Sequence, residues 1–200
     1  MGKIREPISD NARKTKEKII DCGFELMCEC GYHHVNCIQI AKKAEVSTGI
    51  VYQYFIDKKN IFIEGIKKFA DKIMFPMAEI LCCNIECGND FERIILALID
   101  ETIEVQSKYE KHYHEMMSMC ALDSTIADII HEKEMDATMR FAEELSMLVV
   151  KRDDLIEKSH LILHIINDFS EEVNYHRHYS LDYNKLKGMV LSSIKAIIDN

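Results

Sequence analysis

The stretch Asn36-Cys37-Ile38-Gln39-Ile40-Ala41-Lys42-Lys43-Ala44-Glu45-Val46-Ser47-Thr48-Gly49-Ile50-Val51-Tyr52-Gln53-Tyr54-Phe55 reads as two short helices on a tight joint. Asn36 is a good N-cap, and Gln39 three residues on completes a capping-box variant. Ile38, Ile40, Ala41 and Ala44 then give one short apolar face, predicting a helix over 36–43. The pattern breaks at Ala44-Glu45-Val46, and Ser47 can cap a further helix through Phe55. Upstream, Ser9 or Asp10 can cap a helix whose apolar positions Ile19, Ile20, Phe24 and Met27 follow helical spacing until Gly31 stops it. Downstream, Asp57 can cap a helix starting at Lys58. Three helices joined by three- to four-residue links make a helix-turn-helix.

Outward from this unit the helical pattern continues over roughly 58–86, with Pro76 as a kink or break, then 91–120, 123–150, 154–178 and 182–199. No alternating strand pattern appears, so the fold class is all-α. A chain of 200 residues, 48% hydrophobic with only 7 Gly and 2 Pro, buries a real core and is neither disordered nor fibrous. Its longest apolar runs fall far short of a membrane span. The charged N-terminus has no apolar signal segment, and Met1-Gly2 lacks a Ser or Thr at residue 6. A cytoplasmic protein with mainly reduced thiols is therefore expected, despite 8 Cys.

The net charge of −9 argues at face value against nucleic acid. It is unevenly placed: residues 1–60 carry 10 Lys/Arg against 8 Asp/Glu, and residues 61–200 carry 15 against 26. This gives a domain 1–60 with local basic residues (Lys3, Arg5, Arg13, Lys14, Lys16, Lys42, Lys43, Lys58, Lys59) and an acidic helical domain 61–200.

A recognition helix in the major groove needs small or polar side chains on one face and apolar anchors on the other. In residues 47–55, Val51 and Phe55 face one way, while Thr48, Gly49, Tyr52 and Gln53 occupy the remaining surface. Gln53 suits an adenine edge, Gly49 lets the backbone approach closely, and Ile50 suits a thymine methyl. A helical hairpin that only packs would not need the small polar run Ser47-Thr48-Gly49.

The segment resembles the TetR (tetracycline-repressor) family of bacterial regulators through Ile19-Ile20, Gly31-Tyr32, Ile40-Ala41, Ala44 to Gly49, Val51-Tyr52, Tyr54-Phe55 and Lys58. The resemblance covers about residues 13–65. It implies an N-terminal three-helix DNA-binding domain, a linking fourth helix, a larger helical ligand-binding domain, and a homodimer joined by the last two helices. It further implies that Ser47, Thr48, Gly49 and Gln53 face bases or nearby backbone and that Tyr52, Tyr54 and Lys58 face phosphates. Asn36 and Cys37 stand where the family often has Ser or Thr touching phosphate. On the residues alone, Tyr54 also fits a core position, and Lys58 a solvated helix start. Gly23 replaces the usual alanine of helix one, at up to about 1 kcal/mol in helix propensity.

In the second half, Met74, Met77, Tyr109, Tyr113, Met116, Met117, Met119, Met135, Met139 and Phe141 suit the lining of a pocket for an effector of apolar character, or simply core. Ile162, Ile166, Phe169 and Val173, with Leu186, Met189, Val190, Ile194 and Ile197, form the expected dimer seams. His160, His164, Asn167 and Glu171 share a polar stripe expected to face solvent. On a helix, i and i+2 point about 200° apart, so His112-Tyr-His114 and His176-Arg-His178 are poor chelates unless a helix ends there. Cys82, Cys83 and Cys87 fit helix packing better than a metal or thiol sensor. No metal, cofactor or catalytic residue is expected, because no nucleotide-binding, zinc-protease or nucleophile-elbow motif is present. The sequence thus predicts a repressor released from a palindromic double-stranded DNA operator by a small molecule. A metal- or thiol-responsive regulator of the same fold is the alternative, and a helical interaction module without DNA binding the remote one.

Overall fold

The computed structural model describes residues 7–77, 80–81, 91–148 and 153–199. The described residues form α-helices and one short 3-10 turn. The helices are α1 (Asp10–Cys30), α2 (Cys37–Lys43), α3 (Thr48–Tyr54), α4 (Lys58–Ile73), α5 (Phe91–Lys108), α6 (Glu110–Leu122), α7 (Ser124–Leu148), α8 (Leu155–Tyr175) and α9 (Tyr183–Asp199). They fall into two compact units, one of Met1–Ala70 with Lys111–His131, the other of Asp71–Glu110 with Glu132–Asn200.

In the first unit each helix end has an identifiable cause. Ser9 caps α1 by accepting from Ala12 N, and Gly31, at φ 87°, ends it where most side chains would be strained. Asn36 and Gln39 form the full reciprocal capping box on α2. The α2–α3 turn is a Schellman motif: Val46 N donates to Ala41 O (3.0 Å) and Glu45 N to Lys42 O (3.2 Å). Its left-handed position is filled by Glu45, at φ 55°, at a cost of about 1–2 kcal/mol relative to glycine. Asp57 caps α4 by accepting from Asn60 N.

The core of this unit is built from Ile19, Phe24, Met27, Ile40, Val51, Phe55, Ile61, Phe62 and Ile66, all nearly inaccessible to water. Each contributes roughly 1.5–3 kcal/mol by burial. Ile38, expected on the apolar face of α2, is instead 66% exposed, because Ile40, Ala41 and Ala44 already complete the buried stripe. Gly23 is explained by the packing: a Cβ there would lie 2.7 Å from Ile61 Cγ2 and 3.1 Å from Ile40 Cγ2. The helix expected over 91–120 is two helices, with Tyr109 between them. Residues up to Glu110 belong to the second unit and those from Lys111 to the first. Glu115 accepts from Tyr32 N (2.6 Å), and Asp123, the cap of α7, pairs with Lys59 (2.6 Å). Both fasten residues 111–131 to the N-terminal helices.

The second unit packs α5, α8 and α9 around Ile95, Leu98, Ile99, Phe141, Leu145, Ile162, Ile166, Phe169 and Ile194. Four of the nine residues expected in a dimer seam are taken by this core. Ile162, Ile166, Phe169 and Ile194 are buried within the protomer, and Val173, Leu186, Val190 and Ile197 pack partly buried against that core. The strongest apolar stripe of α8 is taken by α5 and α9 of the same chain. Of the nine seam residues, Met189 alone is among the exposed large hydrophobics. The stripe on the other side of α8 is not fully solvated either: Gln106 Nε2 donates to Asn167 Oδ1 (2.8 Å), and Asn167 Nδ2 donates to Glu171 Oε1 (2.7 Å). No described helix is long and apolar enough to cross a membrane.

Candidate nucleic-acid interface

Helix α3 divides as its sequence demands. Val51 and the C-cap Phe55 are buried beneath it; Ser47, Gly49, Tyr52 and Gln53 are exposed; Thr48, Ile50 and Tyr54 are half-buried. Ser47 Oγ accepts from Ile50 N (3.3 Å) and fixes the start of the helix. Asn36 Oδ1 caps α2, while its amide NH2 makes no hydrogen bond among the described residues and remains available to a phosphate oxygen.

Two of the residues expected at phosphates have partners inside the protein. Lys58 Nζ donates to Tyr32 O (2.6 Å) and Val35 O (2.8 Å) and sits 4.4 Å from the centre of the Tyr32 ring. Its charge closes the end of the 3-10 turn, so it is not the solvated helix-start lysine that the residues alone also allowed. Cys37 is buried, with its thiol against the Tyr52 hydroxyl. The neighbouring Cys37 side chain holds the Tyr52 phenol above its ordinary value, so Tyr52 keeps its proton.

The basic residues separate in the same way. Lys43 is shared between Glu25 (3.0 Å) and Glu29 (3.3 Å), Lys59 pairs with Asp123, Lys18 with Glu45 (2.7 Å), and Arg13 with Asp10. The Lys18 ammonium holds the Glu45 carboxyl below the usual range, as Lys59 does for Asp123. Lys14 and Lys42 make no ion pair among the described residues, and Lys16 lies 5.8 Å over the Phe55 ring. Among the described residues, none of these three is paired with a carboxylate. Lys3 and Arg5 lie outside the described residues.

Residues 19–64 match the family described as bacterial regulatory proteins, tetR family. The helix-turn-helix segment is thus similar to the N-terminal domain of the TetR family. It is 41% identical over 56 residues to the HTH-type transcriptional regulator HbdR of Aromatoleum sp. (strain CIB), a match covering 28% of this chain and 24% of that protein. It is 26% identical over 132 residues to the HTH-type transcriptional regulator TtgW of Pseudomonas putida, covering 66% and 92%. The match thus spans about a quarter of HbdR's length and nearly all of TtgW's. A crystal structure assigned to the TetR family from Mesorhizobium loti MAFF303099 superposes with TM-score 0.76 at 16% identity, covering 96% of this chain and 98% of that one, so the fold is shared well beyond the N-terminal unit. The family and these relatives are transcriptional regulators, not enzymes.

The expected pocket residues do not gather within either unit. Tyr113, Met116 and Met119 are buried in the first; Met74, Met77 and Phe141 are buried in the second; Met117, Met135 and Met139 are exposed. Tyr109 lies under the ammonium groups of Lys72 and Lys108, and Lys72 lowers its phenol below the ordinary value. An open cleft of about 450 Å³ in the second unit is lined by Asp71, Asp136, Met139, Arg140 and Glu143, a polar set. Of the clustered histidines, His112 packs toward Phe24, with ring centres 5.9 Å apart, while His114 is exposed. α8 ends at Tyr175, before His176 and His178. Cys82, Cys83 and Cys87 lie outside the described residues.

Proposed function

We propose that the protein is a dimeric repressor whose residues 1–60 read a palindromic operator through α3, and whose residues 61–200 bind a small-molecule effector of apolar character that releases the DNA. The observation that carries this reading is the division of α3: Val51 and Phe55 are spent on the core, and Thr48, Gly49, Tyr52 and Gln53 are left outward. Nothing in the packing requires that outward set. Asn36, Tyr52, Lys14, Lys16 and Lys42 supply phosphate contacts, and Ser47, Thr48, Gly49 and Gln53 meet base edges or nearby backbone, Gln53 on an adenine.

Two operator half-sites lie about 34–36 Å apart or a multiple of that, so a small change in the spacing of two recognition helices, driven by the effector, spoils the register. The dimer face this reading requires is the surface that the protomer core leaves over: Gly188, Met189, Ser192 and Ala196, exposed at helical spacing along α9, with no atom within 4 Å of a Cβ built on Gly188. Small residues there allow close helix approach.

The test is a mobility-shift titration with DNA from upstream of the protein's own reading frame, at several salt concentrations. The expected result is a specific complex whose affinity falls steeply with salt, by about 0.9 in log-log slope per phosphate contact. A flat salt response, or no specific complex with selected palindromic DNA, would overturn the proposal.

A further inference from the structure

The polar stripe of α8 meets α7 at two rungs one helical turn apart. His164 Nε2 lies 2.9 Å from Glu134 Oε1, and His160 Nδ1 lies 3.2 Å from Thr138 Oγ1. Both pairs of positions, 134/138 and 160/164, are spaced i,i+4, so the helices run antiparallel here and present four side chains in one patch of the second unit. The two imidazoles stand edge to face with centres 4.5 Å apart. One ring nitrogen of each histidine and one carboxylate oxygen of Glu134 all lie within 4.8 Å of one another.

We propose that Glu134, His160 and His164 bind a divalent transition-metal ion of the zinc class. Zinc takes nitrogen ligands at about 2.0–2.1 Å and carboxylate oxygens at about 2.0–2.2 Å, which sets ligand atoms roughly 3.4 Å apart around a tetrahedral ion. Closing from 4.8 Å to that separation is within the reach of side-chain rotation at Glu134 and His164, whose side chains are 23% and 47% exposed. Two imidazoles and one carboxylate favour zinc, cobalt, nickel or copper over magnesium or calcium, which want an all-oxygen shell. Three protein ligands leave a position for water. Thr138 is fully buried, and its hydroxyl fixes the plane of the His160 ring, the role an outer-shell partner plays at a metal-binding histidine. Bound there, the ion joins α7 to α8. The site is independent of the operator-binding reading, and its test involves no DNA.

The experiment is a titration of chelator-treated, tag-free full-length protein with Co²⁺ and with Zn²⁺. The expected result is one equivalent per chain, with visible d–d absorption and without the near-ultraviolet thiolate band of a cysteine site. His160→Gln combined with His164→Gln should weaken binding at least about 100-fold, and Glu134→Gln at least about 10-fold. Zn²⁺ should raise the melting temperature of the parent chain and leave that of the double variant unmoved. Circular dichroism of the metal-free variants checks the fold, and the exposed His164→Gln substitution alone serves if the double variant does not fold. The proposal is overturned if the parent chain binds no stoichiometric ion, if the variants bind as tightly as the parent, or if a thiolate band accompanies binding.

Discussion

Lys58 shows how one side chain changes role between pattern and packing. Its position after Asp57 at the start of α4 fits a phosphate contact, yet its ammonium lies 2.6 and 2.8 Å from the carbonyls of Tyr32 and Val35. Lys58→Met should therefore cost about 1.5–3 kcal/mol of stability, because two acceptors lose a charged donor. The salt slope of DNA binding should stay unchanged. Denaturant titration and binding at two salt concentrations check both; unaltered stability with a shallower slope would restore the phosphate role. His112 is a second such residue. Burial pushes its imidazole below the ordinary value of about 6.5, so the folded chain holds it neutral where the unfolded chain takes up a proton. The stability this gives is present above about pH 6.5 and is lost as pH falls through the folded value. Melting temperatures from pH 7.5 to 5.5 should fall less steeply in His112→Gln than in the parent; equal slopes would show that His112 takes no part.

The helices themselves were largely legible in the sequence because their ends are local chemistry. The Asn36/Gln39 capping box, the Ser9 and Ser47 caps, the Gly31 stop and the Asp57 cap of α4 need no knowledge of distant residues. The break at Tyr109 was not legible: no proline or glycine marks it, and the division of the flanking residues between two packing units is a tertiary fact. Close helix approach was half legible. Gly23 and Gly65 look like weak points in helices α1 and α4, and only packing shows why they are there. A Cβ on Gly65 would lie 2.6 Å from Phe24 Cβ and overlap its ring, where Phe24 also stacks on Phe69 with ring centres 5.3 Å apart. Gly65→Ala should destabilise the protein by about 1–3 kcal/mol despite its better helix propensity. A rise in melting temperature would show that α1 and α4 can separate without loss.

For the molecule as a whole, charge asymmetry marked off the end that matches the regulator family, and periodicity found the apolar stripes of α8 and α9. Periodicity could not say whose core those stripes enter. An intramolecular core and a dimer seam ask for the same residues, and the protomer takes Ile162, Ile166, Phe169 and Ile194. Residues on opposite sides of that choice should therefore behave differently. Ile194→Ala should lower stability by about 2–5 kcal/mol, whereas Ala196→Glu, on the exposed stripe, should split the dimer in sedimentation while leaving the protomer folded. A parent chain that sediments as a monomer, or an Ala196→Glu variant that stays dimeric, would contradict the assignment. Glu134 likewise escaped notice beside His160 and His164, since the antiparallel placement of α7 on α8 is a tertiary fact. The central claim, that the outward face of α3 reads DNA, is tested most directly by comparing the operator affinity of Thr48→Ala and Tyr52→Ala with that of the parent at fixed salt. Both variants should bind more weakly while keeping the parent's melting temperature and dimeric state. Unchanged affinity in both would contradict the claim.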